Sequence, residues 1–203
     1  MGCLVMADNH PIIAILRGIT PEDAVPQIAC LVEHGIKRIE ITTNSPSWEN
    51  SLQQVRQRFG NDIQLGVGMV TTADQVQRSF AAAADFILTP NLNPAVIAQA
   101  KLHRLVVYAG VFSPSEIFTA IDLGVDVMKV FPACALPANY PQLVKGPLSQ
   151  PVSSSAVGGV GVENSAEFLH YYDSVGLGSA LYRTGQRVDV TAERCKLLLQ
   201  HRH

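Results

Sequence analysis

The chain has 203 residues, of which 47% are hydrophobic and 16% are charged, and its formal net charge at pH 7 is −2. This balance excludes a disordered chain and favours one compact domain, for which we expect bounds of 1–203 and a core from about 10 to 200. Because no run of lysine or arginine is present, we expect no nucleic-acid partner.

Short apolar runs, typical of buried strands, alternate along the chain with longer amphipathic segments. The first run, 11–16, is followed by a strong helix start, with Thr20 as the predicted N-cap and Pro21 as the first helical residue, and Gly35 is the predicted C-cap. The other predicted strands are 36–41, 64–70, 86–89, 105–109, 125–131, 152–157 and 173–177. The other predicted helices are 72–82, 94–102, one that begins after Ser113, and about 190–199.

This alternation predicts an all-parallel sheet, and eight strands, most of them followed by a helix, fit a closed (β/α)8 TIM barrel better than an open doubly wound sheet. In a barrel of this kind the functional residues lie at the C-terminal ends of the strands. The residues that this rule selects are Arg17, Glu40, Met69, Pro90, Lys129, Gly158 and Ser179.

The four cysteines, Cys3, Cys30, Cys134 and Cys195, are far apart and have no metal-ligand or redox spacing. We expect free thiols in a reducing cytoplasm, with Cys134 close to the site but inert. The start of the chain lacks the basic and long apolar regions of a secretion signal, and no apolar run reaches the roughly 18 residues of a membrane helix. From these features we expect a cytoplasmic protein without a membrane partner. Histidines with zinc spacing are also missing, so we expect no metal, and we expect no cofactor.

Lys129 lies within a predicted strand, where alternation places Val127, Lys129 and Phe131 on one face. Burial lowers the pKa of a lysine amine, and a neutral amine is the form that attacks the carbonyl of a keto acid to make a Schiff base. The alternatives are a lysine whose amine reaches the strand end and one that pairs with a neighbouring carboxylate.

Glu40 is a second charged residue within an apolar strand. One interpretation is a salt bridge with Arg38 or Lys129. The other is a general acid and base whose pKa is raised by apolar surroundings. A buried lysine and a buried glutamate at strand ends are a suitable pair for aldol cleavage, because the imine accepts electrons and the carboxyl moves the proton.

Two glycine clusters follow the last two predicted strands, Gly158-Gly159 and Gly178-Ser179. Glycine lets backbone N–H groups come close to an anion, and phosphate sites in these barrels often lie after strands seven and eight. Arg17 ends the first strand and offers a planar fork to a carboxylate; the alternative is an ordinary surface arginine.

The chain resembles the family of 2-keto-3-deoxy-6-phosphogluconate (KDPG) and 2-keto-3-deoxy-6-phosphogalactonate aldolases over nearly its whole length, about 11–191. The motifs that carry the resemblance are Ala-Ile-Leu-Arg-Gly-Ile-Thr-Pro (14–21), Glu-Ile-Thr-Thr-Asn-Ser-Pro (40–46), Thr-Pro-Asn (89–91), Lys-Val-Phe-Pro (129–132), Ala-Val-Gly-Gly-Val (156–160) and Gly-Leu-Gly-Ser-Ala-Leu-Tyr-Arg (176–183).

The resemblance implies a metal-independent class I aldolase, a carbon–carbon lyase, that is a homotrimer and releases pyruvate and glyceraldehyde 3-phosphate from a phosphorylated keto acid. It implies that Lys129 forms the Schiff base and that Glu40 is the acid and base. The residues that it assigns to substrate binding, together with their neighbours at the strand ends, are Arg17, Met69, Pro90, Phe131, Gly158, Gly159, Gly178 and Ser179.

Asn44 stands where the phosphogluconate branch has arginine. At this position, at Trp48 and at Ala156-Val157 the chain resembles the phosphogalactonate branch. Met69 departs from the family's threonine, and Tyr108-Ala109-Gly110 replaces a usual Pro-Gly. Methionine has no donor for a carboxylate, so we expect cleavage with a weaker pyruvate site. The gluconate epimer as substrate and a non-catalytic phosphosugar-binding barrel remain as alternatives, and an isomerase on a similar barrel leaves Lys129 without a role.

Overall fold

The computed structural model describes residues 11–146 and 152–200. Eight parallel strands form a closed barrel in chain order, with β8 paired to β1, which confirms the predicted fold class. The strands are β1 (Ile12–Leu16), β2 (Arg38–Thr42), β3 (Gln64–Gly68), β4 (Phe86–Leu88), β5 (Val106–Val111), β6 (Val127–Val130), β7 (Ser153–Val157) and β8 (Ser174–Leu177). The helices are α1 (Pro21–Glu33), α2 (Trp48–Phe59), α3 (Ala73–Ala81), α4 (Pro94–Leu102), α5 (Pro114–Asp122), α6 (Tyr140–Val144), α7 (Ser165–Tyr171) and α8 (Val188–Gln200), with a 3-10 turn at Ala133–Ala135.

Neighbouring strands are staggered, so inward side chains from alternate strands come to the same height in layers of four. The strand pairing gives the layer that contains Lys129, whose members are Glu40, Leu88, Lys129 and Gly176. The layer beneath it consists of Ile13, Gly66, Tyr108 and Ser155. The layer above it, toward the C-terminal ends of the strands, consists of Ile15, Gly68, Gly110 and Val157. Glycine therefore leaves the interior open at and above the height of Lys129.

The N-terminal end of the barrel is closed by a repeated contact. Asp85, Asp126 and Asp173 directly precede β4, β6 and β8, and each carboxylate accepts a hydrogen bond of 2.8 to 2.9 Å from an N–H in or beside the preceding strand. Tyr108 lies inside with its ring 5.5 Å from that of Phe86. This end is structural, which leaves the opposite end for chemistry.

The outward faces of the strands and the inner faces of the helices form the larger core. It includes the outward residues Met128 and Val130 of β6 and also Trp48 at the start of α2. Within the described ranges 11–146 and 152–200, no helix is long and apolar enough to cross a membrane.

Candidate active site

Lys129 points from β6 into the barrel and has none of its surface exposed. Its Nζ donates to Met69 Sδ at 3.7 Å and lies 4.9 Å from the centre of the Phe131 ring. No carboxylate forms an ion pair with it among the residues that the structure describes. Its amine is therefore not exposed at the strand end and forms no ion pair there, although the charge of Glu40 acts on it.

Glu40 occupies the same layer on the opposite strand, β2, and is also fully buried. Neither of its carboxylate oxygens has a hydrogen-bond partner in the described part of the chain. The expected alternative partner, Arg38, instead donates from Nε to Gln64 Oε1 at 2.7 Å. A Cβ at Gly68 would overlap Glu40 Oε1, so only glycine at that position leaves room for the carboxylate.

Burial sets the protonation of both groups. It raises the pKa of Glu40 to about 7, against the opposing effect of the positive charges of Lys129 and Arg17. It lowers the pKa of Lys129 to about 8, against the opposing charge of Glu40. Near neutral pH a larger fraction of the amine is therefore neutral than in an exposed lysine, and the carboxyl can both donate and accept a proton.

A cavity of about 330 Å³ opens above these two groups, at the C-terminal ends of β1, β7 and β8. Six of the residues predicted to bind substrate line it together: Arg17, Phe131, Gly158, Gly159, Gly178 and Ser179. Phe131 connects it to Lys129, since the same ring faces the cavity and the amine. Six of the predicted strand-end residues thus share one space, and the Phe131 ring separates it from the amine of Lys129.

The glycine loop after β7 has a conformation that other residues rarely adopt. Gly158 and Gly159 have φ values of 92° and 75°, and a Cβ at Gly159 would overlap Cys134. Within 11–146 and 152–200 no acceptor is found for the N–H groups of Gly159, Ser179 or Ala180. Free N–H groups at the rim of a cavity suit an anion with several oxygens, such as phosphate.

Met69 and Pro90 are placed differently from the other predicted residues. Met69 contacts the amine of Lys129 through sulfur, and Pro90 lies with its carbonyl oxygen against Gly110. Neither is part of the cavity wall. Cys134 is exposed and packs against the glycine loop, which leaves it beside the site as expected.

Several residues of the cavity wall were missed by the sequence analysis: Ile15, Gly176, Tyr182, Arg183 and Thr184. The first two were predictable, because alternation places them on the same face as Arg17 and Gly178. The other three follow β8 in a turn that carries no periodic signal. Thr184 Oγ1 donates to the carbonyl of Arg17 at 3.1 Å and so joins the β8 loop to β1.

The described residues contain no cluster of three or more histidine, cysteine, aspartate or glutamate side chains that would hold a metal ion.

Comparison with known proteins agrees with this geometry. Residues 5–191 match the family model described as KDPG and KHG aldolase. The chain belongs to this family. It is 36% identical, over 91% of its length and 90% of the relative's, to the 2-dehydro-3-deoxy-6-phosphogalactonate aldolase of Escherichia coli strain K12.

Two solved structures of aldolases extend the comparison. The native KDPGal structure has a TM-score of 0.91 and 34% identity, with coverage of 97% of this chain and 96% of that one. The KDPG aldolase of Legionella pneumophila, with pyruvate captured as a covalent carbinolamine, has a TM-score of 0.79 and 25% identity, with coverage of 95% and 92%. The resemblance seen in the sequence is confirmed, and the chain is an aldolase, a carbon–carbon lyase.

Proposed function

We propose that this aldolase forms a Schiff base through Lys129 and cleaves 2-dehydro-3-deoxy-6-phosphogalactonate, the 2-keto acid named above, to pyruvate and D-glyceraldehyde 3-phosphate. The observation that carries the proposal is the fully buried amine of Lys129, which faces an equally buried carboxyl without an ion pair in the described chain. Burying two ionisable groups without an ion pair destabilises the fold, and a role in imine chemistry explains why they are buried.

The neutral Nζ adds to the C2 carbonyl, and Glu40 donates the proton that turns the resulting hydroxyl into leaving water. The protonated imine then accepts the electrons of the C3–C4 bond when the Glu40 carboxylate, directly or through a water, removes the proton of the C4 hydroxyl. The C4 fragment leaves as the aldehyde. The enamine takes a proton at C3 from Glu40, and hydrolysis releases pyruvate and restores the amine.

The pKa values of the pair suit these alternating roles. A carboxyl with a pKa near 7 is both an available acid and an available base at neutral pH, whereas an exposed glutamate is almost fully ionised there. The lowered pKa of Lys129 supplies the neutral nucleophile.

The opposite end of the cavity suits the phosphate. Gly158, Gly159, Gly178 and Ser179 offer it backbone N–H groups. Exposed Arg17, whose charge also acts on Lys129 and Glu40, adds a positive charge for the substrate carboxylate, which is next to the imine carbon. We assign Phe131, Pro90 and Met69 to the walls around the pyruvate moiety. Since the sulfur of Met69 cannot donate a hydrogen bond, we infer a weaker hold on the pyruvate carboxylate.

The galactonate epimer is supported by the name of the relative in Escherichia coli and by Asn44. Asn44 is exposed near the mouth, where its Oδ1 accepts from Thr42 Oγ1 at 2.6 Å. Trp48, which also supported this branch in the sequence, is buried in the outer core and is not part of the cavity wall.

The test is borohydride reduction in the presence of pyruvate, read by intact and peptide mass spectrometry. We expect a reduced pyruvate adduct on Lys129 and none in folded Lys129→Met. Cleavage of the two epimers is then compared by kcat/KM. A preference for the gluconate epimer would show that this epimer is the substrate. A folded chain without an adduct would indicate a non-catalytic phosphosugar-binding barrel.

We also propose that the enzyme is a cytoplasmic homotrimer. Support comes from exposed apolar side chains near one another: Phe112 (39% exposed) after β5, Phe118 (43%) on α5 and Leu143 (63%) on α6. Tyr140 of α6 donates to the carbonyl of Phe112 at 3.0 Å, which brings these elements together. Sedimentation analysis tests the assembly, and a monomeric mass would contradict it.

A further inference from the structure

Two side chains outside the cavity wall hold the carbonyl groups of the two glycine loops. Asn164 Nδ2 donates to the carbonyl of Gly159 at 3.1 Å, and Arg194 Nη1, from α8, donates to the carbonyl of Ser179 at 2.9 Å. Asn164 is itself fixed, because its Oδ1 accepts from an N–H of the same loop at 2.8 Å. Each loop therefore has one polar anchor on its outer side.

An anchored carbonyl also fixes the direction of the next N–H. In a trans peptide the C=O of one residue and the N–H of the following residue point in opposite directions within one plane. Holding the Gly159 and Ser179 carbonyls outward turns the N–H groups of Val160 and Ala180 away from the anchors. Among the described residues neither of these N–H groups has an acceptor, so both are available to an anion.

Arg194 is unusual in its surroundings. It is half-buried on α8 and has no ion-pair partner within the part of the chain that the structure describes. The exposed Arg183 adds a second, longer bond of 3.4 Å to the same Ser179 carbonyl. Two guanidinium groups, from the β8 loop and from α8, therefore share one carbonyl oxygen.

We propose that Arg194 and Asn164 are positioning residues for the phosphate end of the substrate, acting through the carbonyls of Ser179 and Gly159. The inference rests on the proposed function, which supplies the phosphorylated substrate. Neither residue reaches the amine of Lys129, so their effect is confined to one end of the cavity.

The experiment compares Arg194→Gln and Asn164→Ala with the parent enzyme in two assays. The first is steady-state cleavage of the phosphorylated keto acid, and the second is exchange of the pyruvate methyl protons with deuterated water, followed by NMR. Pyruvate has no phosphate, so the second assay reports the imine end alone. Arg187→Gln is the matched control, because Arg187 is exposed, precedes α8 and pairs with Asp189 instead of a loop carbonyl.

We expect Arg194→Gln to raise KM for the phosphorylated substrate about tenfold and Asn164→Ala to raise it about fivefold, each by loss of one oriented hydrogen bond. Pyruvate exchange should stay within about twofold. Asn164→Ala changes no charge, so its effect reports orientation and not attraction at a distance. For Arg194→Gln, the ratio of variant to parent KM should persist in about 0.5 M salt, which screens long-range charge.

An unchanged KM in both variants, or equal losses in cleavage and exchange, would overturn the inference. A ratio for Arg194→Gln that disappears in salt would also overturn it for that residue. If the parent enzyme shows no pyruvate exchange, the proposed function fails instead. Binding of inorganic phosphate to the same variants, measured by calorimetry, then tests the two anchoring residues independently of catalysis.

Discussion

The two ends of the cavity use different parts of the chain. At the proposed imine end the functional groups are side chains, Lys129 and Glu40, that are fully buried and lack ion pairs in the described structure. At the phosphate end they are backbone N–H groups of loops near the surface, such as Gly159, with anchors behind them. Removal from water tunes the first end, whereas backbone conformation shapes the second.

Glycine serves both ends for opposite reasons. Gly68, in the layer above Lys129, is needed for the space it leaves to the Glu40 carboxylate. Gly159 is needed for its own backbone, whose φ of 75° is unfavourable for a residue with a side chain. Substitutions at the two ends should therefore separate pyruvate chemistry from phosphate binding.

The largest effect expected in the comparison comes from Glu40→Gln, which removes the acid and base but keeps the shape. Exchange of the pyruvate methyl protons should fall by about 10² to 10⁴, the usual contribution of such a group. Borohydride should still trap pyruvate on Lys129. Because the negative charge of Glu40 raises the pKa of Lys129, its loss should lower that pKa further, so trapping should extend to lower pH.

The control for this variant is Glu49→Gln, a surface glutamate paired with Arg78. Exchange at the rate of the parent enzyme in Glu40→Gln would show that another group moves the proton. A trapping profile displaced to higher pH would show that Glu40 does not stabilise the charged amine.

Gly159→Ala should weaken binding at the phosphate end. The new Cβ meets Cys134 and requires an unfavourable φ, so we expect KM for the phosphorylated substrate to rise at least about tenfold and stability to fall by about 1 to 2 kcal/mol. Pyruvate exchange should be nearly unchanged. Kinetics and thermal unfolding measure both effects, with Gly146→Ala, which has open space, as the control. Parallel losses of exchange and cleavage would show that the two ends are not separable.

The sequence predicted those helices that carry a chemical start signal. Thr20, Thr72, Asn93 and Ser113 each accept a backbone N–H at the start of α1, α3, α4 and α5. The helices that were missed, α2, α6 and α7, have no side-chain cap hydrogen bond. They form because the barrel packs them, which is tertiary information that a local pattern does not contain.

The same limit applies to the site. Lys129 and Glu40 were visible because a charge inside an apolar strand is anomalous, and the strand-end rule placed them near the glycine loops. Arg194 gave no signal, since it is an ordinary arginine on a helix and reaches Ser179 only through the closure of the fold. The predicted strands 64–70 and 125–131 were longer than observed. Met69, Val70 and Phe131 continue the apolar pattern past the C-terminal ends of β3 and β6, and Val125 extends it before the N-terminal end of β6.

Met69→Thr should give the smallest effect, and it tests whether the residue next to Lys129 influences pyruvate binding and the pKa of the amine. The sulfur of Met69 is a weak acceptor for Lys129 Nζ, whereas a hydroxyl accepts more strongly and can also donate to the pyruvate carboxylate. We expect half-saturation by pyruvate at about threefold lower concentration. A better acceptor stabilises the ammonium form, so the pKa of Lys129 should rise and the rate should increase with pH over a higher range. The measurement is pyruvate exchange against pH, with Met69→Leu as the control that keeps the bulk and adds no hydroxyl. If threonine and leucine behave alike, the contact with Met69 has no influence on the amine, and burial together with the charges of Glu40 and Arg17 sets its pKa.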